Sequence, residues 1–191
     1  MGRFLYAGAD VRAYPSGDSD WTPERRMDYL LRPEVTFPLS VDPQVWKRFP
    51  TDLPGPLAWI PIVEVERRVA LMPSKHRLCV AIFGAAAEDD AEAEDLRRRT
   101  GAETALTADQ AWTFVGFDVA DDVIGVSGLS NCGYGEELDE LRAAWASRLN
   151  EHGLFRHLDE AFGFRKLTDA RVSEHAPFTV YGIWVVLDLS T

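Results

Sequence analysis

The chain has 191 residues, 46% of them hydrophobic and six of them tryptophan, which is enough apolar material for one folded domain without disulfide or metal staples. Its net charge of −11 opposes binding to nucleic acid or to an anionic membrane surface. No apolar run of about 18 residues is present to cross a bilayer as a helix, and the apolar stretch after Met1 is too short for a secretory signal, so a cytoplasmic location is expected.

Arg3–Val11 is apolar and aromatic enough for a strand, and Tyr14–Asp20 follows as a loop rich in Pro, Gly, Ser and Asp. Thr22-Pro23-Glu24 suits the first turn of a short helix that stops before Pro33. Seven of the 11 prolines fall in residues 33–61, so this stretch is expected to be a packed irregular arm rather than a linker, given its Trp46, Phe49 and Trp59. The alternation of Val63 and Val65 with Glu64 and Glu66 predicts an edge strand over Ile60–Leu71. Arg77–Phe83 reads as a central strand, apolar on both faces.

Glu88–Arg99 places acids first and three arginines last, which complements a helix dipole. Glu94/Arg98 and Asp95/Arg99 fall at i,i+4, and Gly101 is placed to end the helix. Trp112–Val119 and Val123–Leu129 are expected to form a hairpin turned at Ala120-Asp121-Asp122. Leu138, Leu141, Trp145 and Leu149 recur at helical steps and predict a helix over Glu136–Leu149. A second helix is expected over Leu154–Phe162, ending at Gly163, and Phe178–Leu189 reads as a central strand. The expected fold is therefore a single α+β domain over residues 1–191, a mostly antiparallel sheet with helices packed on it.

The chemistry-bearing signals are few. Cys79 and Cys132 are far apart and share no metal-ligand spacing, and there is no P-loop, GxGxxG, HExxH or GxSxG motif, so neither a metal nor a cofactor is expected. Asp118, Asp121 and Asp122 resemble ordinary turn chemistry more than a cation site. Cys132 lies in the segment Ser127–Gly135, rich in glycine and just before the 136–149 helix, where the helix dipole favours a thiolate. His175 is the best candidate for its base, ahead of His152 and His157, with Asn150 or Asp188 to orient it. The neighbouring Glu136, Glu137, Asp139 and Glu140 oppose that thiolate.

The charge is unevenly placed: residues 1–100 hold 14 Lys/Arg and 16 Asp/Glu, whereas residues 101–191 hold 6 and 15. In charge and size the chain is similar to the bacterial immunity proteins that neutralise basic toxins. That resemblance implies a non-catalytic protein-binding module whose acidic C-terminal half docks a basic protein. Asp121, Asp122, Glu136, Glu137, Asp139 and Glu140 would steer the partner, and Tyr134 would anchor it. The alternative is a small cysteine hydrolase or thiol transferase using Cys132.

Overall fold

The structure, a computed structural model, describes residues 3–13, 37–38, 62–70, 78–101, 104–121, 127–129, 136–150 and 152–186. The 22–31 helix, most of the proline-rich arm, Asp122, Cys132, Tyr134 and Asp188 lie outside them.

The long apolar runs form the interior of one antiparallel sheet. Its strands are β1 (Arg3–Ala13), β2 (Phe37–Pro38), β3 (Leu78–Ala87), β4 (Thr113–Asp121) and β5 (Phe178–Val186), in the order β2-β1-β3-β5-β4. Strands covered on both faces cannot alternate apolar with polar residues, and accordingly Val80–Ala87 and Phe178–Val185 are buried throughout. Pro38 is tolerated because β2 is an edge, opposite Arg12.

Each face of the sheet has its own cover. On one, Leu5, Phe83, Ala85, Tyr181 and Ile183 pack with Ala93 and Leu96 of helix α2 (Asp90–Thr100). The other carries two clusters. Val65 of the short helix α1 (Val65–Ala70) packs with Ala9, Val11, Val80, Ile82 and Trp184. Leu138 and Leu141 of α3 (Glu136–Trp145) join Phe162 and Phe164 of α4 (Leu158–Arg171) over Val119, Phe178 and Val180. Gly84 and Gly182 stand opposite each other in β3 and β5. A Cβ on Gly182 would sit 2.8 Å from the Trp184 ring, so the paired glycines make room for that indole and for Phe4, whose ring meets it edge-on at 5.2 Å.

Helix α2 begins and ends as its sequence dictates. Asp89 caps the start by accepting from the Glu92 amide at 2.8 Å, and Gly101 ends the helix in the left-handed conformation, φ 69°. Asp95 pairs with Arg99 at 2.7 Å and also with Arg98, and together they hold its carboxyl below the usual range. Arg165 of α4 reaches back to Glu88 at 2.9 Å and to Glu92, tying α4 to the start of α2.

Three expectations are corrected. Where a strand is expected over 60–71, the described residues 62–70 form a 3-10 turn (Ile62–Glu64) followed by α1. Val65 and Val69, four apart, both face the sheet, while Val63 is exposed, and four-residue spacing is a helix period. The helix expected to stop at Gly163 instead starts at Leu158 and runs through Gly163 to Arg171. That glycine is a point of close helix approach, since a Cβ there would lie 3.0 Å from Trp145. Finally, Ala120 and Asp121 are strand residues and not part of a turn. Strand β4 continues through Asp121 along its main partner β5. Among the described residues, the returning segment adds the Ala120–Ser127 bridge and a 2.7 Å bond from the Gly128 amide to the Val119 carbonyl.

The outer side of β4 is closed piecewise. Phe117 and Phe155 exchange two backbone bonds of 2.9 Å, and the Asn150 amide donates to the Val115 carbonyl at 2.7 Å. Such cover stops an edge strand from pairing with another chain.

Candidate functional site

The acidic helix is built by a simple division of its residues. In Glu136–Leu141 the two leucines turn inward and are buried, which leaves Asp139 and Glu140 on the exposed side. Asp139 pairs with Arg142 one turn on, so Glu140 contributes charge beside a partly neutralised neighbour. Glu136 and Glu137 occupy the first turn of α3, where acids suit the helix dipole. Further described acids of the C-terminal half that reach solvent are Asp109, Asp159 and Glu174.

Asp121 does not belong to this surface. It is the last residue of β4, paired with Phe178, and is fully buried, so it presents no charge to a partner. Asp118 is likewise buried within the strand and is not on a turn. Other acids are engaged in the fold: Asp169 accepts from the Phe178 amide at 2.8 Å, and Glu160 lies 3.7 Å from Arg148. Part of the acid surplus of residues 101–191 is therefore internal.

The three described histidines fall into three settings. His157 is the exposed residue that precedes α4. His152 is half-buried, its amide donating to the Asn150 side chain at 2.9 Å. His175 is half-buried in the turn before β5, with its amide bonded to the Val172 carbonyl at 3.0 Å. Asn150 is committed at both ends of its amide: it donates to Val115 and accepts from the His152 and Leu154 amides. That makes it a turn-forming residue rather than one that orients a base. Cys79 is in β3 opposite Arg12. Among the described residues no group of three or more His, Cys, Asp and Glu side chains is placed to hold a metal ion, and no helix is long and apolar enough to cross a membrane.

A buried polar network joins β4 to the returning segment Ser127–Leu129. Asp118 Oδ1 accepts from the Ser127 hydroxyl at 2.6 Å and from the Val119 amide at 2.7 Å. Ser127 Oγ in turn accepts from the Leu129 amide at 3.1 Å. The signal available in the sequence is an acid at a core position, Phe117-Asp118-Val119, followed nine residues later by a serine.

Tyr181 stands opposite Asp118 across β4 and β5, and burial pushes its hydroxyl up to about 12. The unfolded chain loses that proton near its ordinary value of 10.0 while the folded chain keeps it. The contribution is therefore intact below pH 10 and is lost as pH rises toward 12, by about 2–3 kcal/mol in all. Urea unfolding at neutral and at alkaline pH checks this: the Tyr181→Phe variant is expected to lose less stability across that window than the natural chain.

No protein-family model, curated protein or solved structure matches this chain. What fold and surface define is a class: an antiparallel α+β domain with an acidic helix, α3, exposed on one side.

Proposed function

We propose that the protein is a non-catalytic binding module that docks a basic protein partner through the acidic surface of its C-terminal half. Its role would be like that of immunity proteins, and its location would be the cytoplasm. The observation that carries this reading is the outward placement of Asp139 and Glu140 on α3, a helix fastened to the core by Leu138 and Leu141. A rigidly mounted charge steers an oppositely charged partner and fixes its approach better than a charge on a loose tail. Glu136 and Glu137 extend the same acidic stretch in sequence, Asp122 adds an acid ahead of the glycine-rich segment, and Tyr134, two residues before Glu136, would be the aromatic anchor. Asp121 is left out of this surface because it is buried.

Affinity capture on the immobilised protein tests the reading. The expected partner carries net positive charge, binds at low ionic strength and is released as salt shortens the screening length from about 30 Å at 0.01 M to about 3 Å at 1 M. Capture of only neutral or acidic proteins, held equally at every salt concentration, would sink it.

A further inference from the structure

Asp118 sits mid-strand between buried neighbours and is only 2% exposed, and Ser127 is 3% exposed. A buried carboxylate and a buried hydroxyl are costly unless they are bonded. Apolar residues at both places would leave the returning segment held to β4 by its backbone bonds and apolar contact, without a side-chain bond particular to this register.

The side chains here supply that bond. Ser127 Oγ bridges Asp118 and the Leu129 amide, and Gly128 adds its bond to Val119. A side chain on Gly128 would press against that same carbonyl oxygen at 3.3 Å. A slip of one residue would withdraw the hydroxyl and bring a side chain to a place where its Cβ crowds the Val119 carbonyl oxygen. We propose that Asp118 and Ser127 form a register latch, fixing where on β4 the returning residues Ser127–Leu129 sit. The consequence for docking rests on the function proposed above: the latch would set the position of the acidic helix start relative to the sheet. The latch itself does not depend on any partner.

Amide hydrogen exchange on the isolated protein tests it. In Ser127→Ala the Gly128 amide is expected to exchange at least about tenfold faster, while the Phe83 and Ile183 amides of β3 and β5 keep their rates. If Ser127→Ala fails to fold, Ser127→Cys keeps the shape and weakens the bond, and the same comparison applies. An unchanged Gly128 rate, or equal acceleration at Gly128, Phe83 and Ile183, would overturn the latch. Neither result bears on the charge of α3, so failure of the latch and failure of the docking reading are distinguishable.

Discussion

Replacing Phe164 by alanine is expected to destabilise the protein by about 3–5 kcal/mol, the range for removing a large aromatic ring from a packed core. Phe164 is fully buried on α4. Its ring lies 5.9 Å from that of Trp145 and 5.3 Å from that of Phe155, in edge-on and tilted arrangements. Those contacts join three pieces of structure: α4, the end of α3, and the segment whose backbone closes the outer side of β4. The cavity would open where these meet, and Trp145 is held against Gly163, which limits how far it can collapse inward. Urea denaturation reads the effect as a lower midpoint with little change in slope. A loss under about 1 kcal/mol would mean that the three pieces are not packed as one core.

Gly116→Ala is expected to cost about 3 kcal/mol or more, by a different route. The register of β4 against β5 shifts between Phe114 and Gly116, and Gly116 has φ 150°, a conformation that L side chains rarely adopt. A Cβ there would also stand 2.7 Å from Leu154 Cβ and 3.0 Å from the Phe155 carbonyl oxygen. Backbone strain and overpacking therefore add, and the neighbouring backbone cannot move without loosening the Phe117–Phe155 pair. Thermal unfolding checks it. The contrast is Gly101→Ala, where φ is 69° but no atom lies within 4 Å of the added methyl. Only the conformational cost of about 1–2 kcal/mol applies there.

Much of this framework was legible from residue patterns, because several elements satisfy local and tertiary demands with the same residues. The unbroken apolar runs of β3 and β5 can only be interior strands. Gly101 announces the end of α2, and its acid-to-base gradient agrees with the dipole. The misreadings share a cause: each concerns a residue whose role is set by something distant in sequence. Val63 to Glu66 alternate like a strand, yet the helix period of Val65 and Val69 prevails because they pack on the sheet face formed by β1, β3 and β5. Gly163 resembles a stop until Trp145 is seen above it. Asp118 and Asp121 resemble turn residues, but β4 runs on through both to follow β5. The acidic helix itself was readable, since leucine spacing alone puts Asp139 and Glu140 outside. How much of the remaining acid is internal was not, because burial of Asp121 depends on where β4 ends.

The docking proposal makes its sharpest claim about rate. Electrostatic steering acts on association, so reversing Asp139 and Glu140 to lysine together should slow association with the captured basic partner by about tenfold or more at low salt, and far less at high salt. Both side chains are exposed, so thermal stability should change little. Stopped-flow or surface-based association kinetics at two ionic strengths, with the natural chain alongside, reads this directly. Unchanged association at low salt in a folded Asp139→Lys/Glu140→Lys variant would contradict the account.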